Sequence, residues 1–571
     1  MSANRYPLVP DPEPHRVKTL LFATPPVDYV ADTAEEWAAK GFGGFLRPDI
    51  MPGWDVDVWA LADGTRVVGE ENPRLRSCRR MNNRLRAAGA GETFICVPFH
   101  KHLPDWFDDG AWARVVGSFR QGARFARMAG FVGMALDDEY IEESLGLEWA
   151  PYRASGRSNE ELCAQARRRG REIQEGMLAE FLEIVTLHLP ESWSIMGDLA
   201  KQLFLGYLDA LVVADAPGGM HVLPECTYFQ TAADWIARYG YGLDRVLLEN
   251  LEPKQADYWA RRCGVALGLA PLGYLRFIRD ADGKRLGYGG RKEVFGDRIL
   301  QPGEDKSGNY PPETFAATHA AARMTSRRYV WVFACGPVWW RMTPEQRARY
   351  GGPAISTLPL ADDFDDYVET LRTPKLIDLP AFRAMERGMR RRMVGLCNTK
   401  LDVLDGLGMP RVWWVVGAFP NPGGAGYHQP YPPERDVDLR AEYAGVTGPV
   451  RWRRVETPPM GYVDLSRLIA GGVEIQGYAA TRFELSEPTE AVIRFGCDDT
   501  GKIWLNGRLI HASNTERIAM PDEDAIPVRL PAGRSLFLLK IGNYRGGWGF
   551  YFRITDEGGA EIPAVEWVTQ A

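Results

Sequence analysis

Residues 132–140 (VGMALDDEY) run from an apolar stretch straight into three acids. In an extended strand, successive side chains point to opposite faces. The large residues Val132, Met134 and Leu136 suit one face, covered by helices. Gly133 and Ala135 mark the other face, and Asp137 and Glu139 share it. Two carboxylates on one face of a strand end repel, which lifts one of them toward the range of a general acid. The competing reading is an acidic loop in which Asp137 and Asp138 cap a helix over 141–145. A further acid, Glu225, sits in residues 223–229 (LPECTYF) with Tyr228 three residues on. A carboxylate embedded in an apolar run needs a partner or a task, and a salt bridge to an arginine would serve equally.

Other polar groups follow strand-like runs. They are Arg47 and Asp49, His100 and His102, Asp198, and Tyr274 with Arg276. Trp331, Trp339 and Trp340 cluster at and after residues 329–334 (YVWVFA). Acids that can protonate a glycosidic oxygen, beside flat aromatic faces on which a pyranose ring can stack, describe a carbohydrate site. Packing of the tryptophans between a barrel and its neighbouring elements is the alternative. His100 and His102 are too incomplete a ligand set for a catalytic metal, so none is expected. No glycine-rich nucleotide loop or nucleophile elbow occurs in a fitting context, and no cofactor is expected.

These groups need a scaffold that brings several strand ends together. Strand-like segments at 18–24, 42–47, 93–99, 131–136, 192–196, 222–228, 264–270 and 329–334 alternate with helical ones, including a long helix over 159–188. Strict alternation of this kind predicts a (β/α)8 TIM barrel, whose active sites lie at the C-terminal ends of the strands. Residues 278–312, rich in Gly and charge, would form a long insertion or lid at that face. From 411 onward the strands are short and the turns dense, as in Asn506-Gly507, predicting an all-β jelly-roll sandwich. The expected domains are a barrel with an N-terminal arm over 1–350, a helical connector over 351–410 and a β-sandwich over 411–571.

Composition narrows the partners. The chain of 571 residues exceeds one compact core. Its net charge of −7 gives no basic surplus for a nucleic acid or an anionic membrane. No apolar stretch of about 20 residues predicts a membrane span. Residues 1–18 lack the apolar core of a secretory leader, so a cytoplasmic location is expected. The eight cysteines show no zinc spacing and read as buried free thiols.

On residues 130–140 (GFVGMALDDEY), 225–228 (ECTY) and 329–340 (YVWVFACGPVWW), the chain resembles barrel glycoside hydrolases, most of all a poorly characterised bacterial group. Asp137, Glu139, Tyr228 and the tryptophan also make it similar to chitinase-like enzymes. That resemblance implies Glu139 as the acid, oriented by Asp137. Those enzymes carry further acids where this chain has Gly133 and Ala135. Residues 413–419, 431–434, 496–507 and 536–543 resemble a galactose-binding-like module. The Asp498-Asp499 turn is similar to one that binds calcium and sugar in protective-antigen-like modules, and equally reads as a tight turn.

The expected function is hydrolysis of an oligo- or polysaccharide, with Glu139 as acid/base, Asp137 tuning it and Glu225 as nucleophile or base. Arg47, Asp49, His100, His102, Asp138, Asp198, Tyr228, Arg276 and the three tryptophans would bind substrate. A non-catalytic carbohydrate-binding barrel and a polysaccharide lyase using Tyr228 are the alternatives.

Overall fold

The computed structural model describes residues 13–50, 69–98, 104–137, 156–189, 198–225, 227–228, 233–272, 312–334, 338–357, 364–375, 407–458, 461–469, 472–514, 519, 524–544, 547–557 and 559–570, and the backbone of 278–279 and 285–286. They fall into two compact units.

The first unit is built on a parallel sheet. Its strands are β1 (Lys18–Phe22), β2 (Gly44–Arg47), β3 (Glu92–Pro98), β4 (Gly133–Asp137), β5 (Val185–Leu189), β6 (Met220–Val222), β7 (Gly264–Val265), β8 (Gly268–Leu269) and β9 (Tyr329–Phe333). They bond in the order β7-β6-β5-β4-β3-β2-β1-β9-β8. The two ends of this sheet, β7 and β8, are separated in sequence only by Ala266 and Leu267. Those two residues bond in opposite directions. Ala266 N–H donates to the Val222 carbonyl at 2.8 Å, and Trp331 N–H donates to the Leu267 carbonyl at 3.1 Å. Residues 264–269 therefore act as one strand position that closes the sheet on itself. Eight strand positions with helices between them make the expected (β/α)8 barrel.

Register assigns the faces. Phe94, Cys96 and Pro98 pair with Gly133, Ala135 and Asp137. Directly paired residues of parallel strands share a face. The Phe94 ring meets Tyr329 at 5.4 Å, across the interior. Thr93, of opposite parity, bonds Asn82 on the covering helix Pro73–Ala88. Phe94, Cys96, Gly133, Ala135 and Asp137 thus look inward, and Met134 and Leu136 outward. Leu20, Leu46, Phe94, Cys96, Leu187, His221 and Trp331 pack this interior, all buried. The barrel is a filled core, so chemistry is confined to its ends.

Three elements differ from the sequence expectation. The helix expected over 159–188 ends at Glu180, and the fifth strand is Val185–Leu189. Residues 185–189 (VTLHL) extend because Leu187 packs inward while His188 stacks on Tyr207 of the next helix at 4.6 Å. The stretch 192–196 lies outside the described residues. The sixth strand is Met220–Val222, and Pro224 lies beyond it, so Glu225 follows the strand instead of sitting within it. Residues 246–249 belong to the helix Ala233–Asn250. Of the insertion 278–312, only a two-rung antiparallel ladder and the start of the helix Pro312–Thr325 are described. Within the expected connector, the helix Phe364–Arg372 packs on this unit. Tyr367 meets Phe315 at 6.0 Å, and Arg372 Nε donates to the Ala39 carbonyl at 2.7 Å. Residues 376–406 of that connector lie outside the described residues.

Among the described residues the second unit holds two larger antiparallel sheets, beside a two-stranded one that pairs Glu442–Gly445 with Gly448–Arg451. One orders Arg453–Glu456, Val412–Pro420, Ile475–Leu485, Gly533–Asn543, Thr500–Leu505 and Arg508–Ser513. The other orders Val463–Asp464, Gly549–Thr555, Thr489–Asp498 and Asp524–Leu530. Trp413, Phe483, Phe495, Phe537, Trp548 and Phe550 belong to one buried apolar cluster drawn from both sheets. Asn506 and Gly507 carry φ of +49° and +79°, the twist a two-residue hairpin needs. Asp498 and Asp499 are both buried, and Asp499 Oδ2 accepts from Tyr544 N–H at 2.7 Å.

A buried ion pair ties residues 427–434 to this sheet. Lys540 Nζ, 2% exposed, donates to Glu434 Oε1 at 2.7 Å and to the Gln429 carbonyl at 2.8 Å. Tyr478 donates to the same carboxylate oxygen at 2.6 Å. Burial lowers the pKa of Lys540, and Glu434 opposes that shift. Lys540→Met leaves Glu434 without its cation and is expected to destabilise the unit by about 3–5 kcal/mol in chemical denaturation. The double replacement Lys540→Met with Glu434→Leu should recover part of that loss. A double variant no better than the single one would show that the pair is not the source.

Candidate active site

The C-terminal mouth of the barrel gathers part of the expected set. Asp137 is the last residue of β4, inward-facing and half-buried. Glu225 follows β6 in a turn and is also half-buried. Tyr228 closes that turn, its N–H donating to the Glu225 carbonyl at 2.9 Å. Its hydroxyl donates to Glu225 Oε1 at 3.3 Å.

Cys96, on β3 below them, reports on both acids. Burial pushes its thiol well above the usual range, and the charges of Asp137 and Glu225 push it the same way. Asp137 ends β4 and Glu225 follows β6, so both acids lie at the C-terminal end of the sheet.

Aromatic rings underlie the turn. Tyr228 stacks on Phe333 at 5.0 Å and 24°, and meets Trp331 edge-on at 5.0 Å. Gly268 makes room for this, since a Cβ there would lie 2.8 Å from Tyr228 and 2.9 Å from Trp331. Trp331 is fully buried beneath Tyr228, so it supports that residue and presents no face to a ligand.

Four expected binding residues are elsewhere. Arg47 looks outward, the parity of Phe45, whose ring packs on Trp37 of a covering helix. Its guanidinium donates to Asp49 Oδ1 and Oδ2 at 2.8 and 2.7 Å and to the Pro25 carbonyl at 2.6 Å. Its fourth contact is Met81 Sδ, at 3.4 Å. Arg47 is therefore a structural residue, paired with Asp49 just beyond its own strand and packed on the helix Pro73–Ala88 through Met81. Trp339 and Trp340 are buried in the helical layer, Trp339 against Phe42, Phe315 and Phe364, and Trp340 against Tyr29. Burial of these large indoles outweighs display.

Asp198 begins the helix Asp198–Ala214. Asp138, Glu139, His100, His102, Tyr274 and Arg276 lie outside the described residues, as does the side chain of Asp198. Cys96, and Phe333 stacked under Tyr228, were not among the expected site residues. Strand parity would have placed Cys96 on the face of Asp137.

Among the described residues no three His, Cys, Asp or Glu side chains are grouped to hold a metal ion, and no helix is long and apolar enough to cross a membrane.

No protein-family model and no curated protein matches the chain. Among solved structures it is similar to the PA14 domain of the MpAFP antifreeze protein (13% identity, TM-score 0.13, 16% of this chain and 52% of that one). It is similar to the exo-beta-1,4-mannosidase Op5Man5 from Opitutaceae bacterium strain TAV5 (11%, 0.32, 65% and 60%). It is also similar to a glucosidase from Croceicoccus marinus (9%, 0.31, 93% and 96%). The chain thus spans just over half the length of the first two. At these scores the likenesses carry no argument, and the barrel rests on its own register.

Proposed function

We propose that this protein is a glycoside hydrolase working by two carboxylates. The observation that carries the reading is that Asp137, the last residue of β4, and Glu225, just after β6, both lie at the C-terminal end of the sheet, with Tyr228 donating to Glu225. Glu225 serves as nucleophile or base. Glu139, two residues beyond Asp137 in the sequence, serves as general acid. Asp137 raises the affinity of that acid for its proton by like-charge repulsion. Attack or water activation by Glu225 and protonation of the leaving oxygen by Glu139 then complete one displacement at the anomeric carbon. A separation of about 5 Å between these two carboxyls gives retention, and about 6.5–9.5 Å gives inversion. Asp138, His100, His102, Asp198 and Arg276 are proposed to hold substrate hydroxyls. No cofactor enters the reaction.

The test is turnover of a panel of 4-nitrophenyl glycosides and polysaccharides by the wild type and by Glu139→Gln and Glu225→Gln. Unchanged turnover in both variants would sink the assignment.

Tyr228→Phe keeps the ring stack and removes only the hydroxyl. It is expected to lower kcat about tenfold, the size of one hydrogen bond to a charged group. An unchanged kcat would mean that the 3.3 Å contact does not orient Glu225 during reaction.

A further inference from the structure

We propose that Thr227 is the positioning residue for Glu225, its hydroxyl pinning the turn that carries this acid to Gly268 of the closing strand. The proposal rests on the glycosidase reading above and names the group that holds its second carboxylate in place.

The ladder of β6 stops where the turn begins. Leu223 N–H still donates to the His188 carbonyl at 2.7 Å, and the Val222 carbonyl still accepts from Ala266 N–H at 2.8 Å. Pro224 follows, and a proline has no N–H to donate. Thr227 resumes the link with its side chain. Its hydroxyl donates to the Gly268 carbonyl at 2.7 Å and accepts from Gly268 N–H at 3.2 Å. The Pro224 carbonyl lies 3.3 Å from the same oxygen and is the weaker claimant on its single proton. One side chain thus accepts a backbone proton and gives one back, as a neighbouring strand does. Thr227 is fully buried, so water does not compete for either bond.

Gly268 is a fixed seat. It lies on β8 as the register partner of Trp331, within the split strand that closes the sheet. The Tyr228 ring crosses the same residue, close enough that a Cβ there would lie 2.8 Å from it. Within the turn, Tyr228 N–H holds the Glu225 carbonyl at 2.9 Å, and the Tyr228 hydroxyl holds the carboxylate at 3.3 Å. Thr227 joins that turn to the barrel wall. It acts on the reaction through the place it gives Glu225. A carboxylate that attacks or takes a proton loses rate steeply when it is displaced.

Valine has the shape of threonine without the hydroxyl. On any glycoside that is hydrolysed, Thr227→Val should lower kcat about 10- to 100-fold and leave KM within about twofold. Thr227→Ser keeps the hydroxyl and should restore kcat to within about threefold of wild type. A role in stability alone would lower the thermal midpoint and leave the kcat of the folded variant in place. Hydrogen exchange on the full chain, read by mass spectrometry on peptides covering 223–228 and 266–270, needs no substrate. Exchange at the Tyr228 and Gly268 amides should be about tenfold faster in Thr227→Val and return toward wild type in Thr227→Ser. Thr227→Ala offers a second route if the valine variant fails to fold, with the same outcomes expected. Unaltered exchange in a folded variant lacking the hydroxyl, or a serine variant no better than valine, overturns the proposal. Loss of turnover in Glu225→Gln with wild-type kcat in Thr227→Val would reject the positioning role and keep the glycosidase. Wild-type turnover in Glu225→Gln with faster exchange in Thr227→Val would reject the glycosidase and keep Thr227 as the anchor that places Glu225.

Discussion

Glu225→Gln lowers kcat/KM on any glycoside the protein turns over by about 10³-fold or more, equivalent to about 4 kcal/mol of transition-state stabilisation. The amide keeps the size and the bond from Tyr228 but can neither attack nor take a proton. The stacked Tyr228 and the turn after β6 remain, so the loss falls on kcat more than on KM. Asp137→Asn has a different signature. Removing a like charge lowers the pKa of the neighbouring general acid. The basic limb of the kcat/KM profile, where that acid loses its proton, should move to lower pH. Profiles of the wild type and Asp137→Asn between pH 4 and about 9 check this. A profile that stays in place, or moves upward, removes Asp137 from the tuning role.

Acid weakens the barrel through two histidines that the reaction does not use. His221 lies inside the barrel against Tyr329 at 5.3 Å, and neither ring nitrogen has a hydrogen-bond partner among the described residues. Burial takes its pKa from 6.5 down to about 3, and Arg328 and Arg327 add to the shift. His319, whose Nε2 lies 2.9 Å from the Thr19 hydroxyl, is also taken down to about 3, by burial and then by Arg323.

A folded pKa below the unfolded one means that the unfolded chain binds more protons in between. Stability is therefore full above about pH 6.5 and falls as pH drops from there toward about 3. Each histidine contributes on the order of 5 kcal/mol once pH is below both values. Native carboxylates such as Asp32, held low by Tyr350 and Arg80, withdraw their stabilisation only below their ordinary range. The loss between pH 6.5 and 5 thus belongs chiefly to histidine. Urea midpoints across pH 5–8 should decline toward acid in the wild type and decline less in His221→Leu. An identical slope in that variant would show that His221 is not a source.

Much of the site was legible before the fold. The inward parity of Asp137 follows from the alternation of small and large residues in 133–136, because a strand has a period of two. Segments without alternation were not legible. Residues 42–47 (FGGFLR) offer large residues on both faces, and Arg47 proved to look at a helix. Residues 185–189 continue an apolar helical pattern, so the fifth strand, expected at 192–196, forms instead at 185–189 without overlap. In both places a local pattern fits two structures, and contacts made far along the chain choose between them.

By itself, then, the sequence determined the order of strands and helices, the barrel this order closes into, and the β-rich second unit. These follow from hydrophobic period and turn chemistry, which are local. Only tertiary structure decided the closure through the split strand at 264–269 and the stacking of Tyr228 on Phe333, which holds its hydroxyl at Glu225. It likewise consigned Trp339 and Trp340 to the helical layer. Burial and stacking are set by which distant segments fill the same space, and no window of neighbouring residues carries that information.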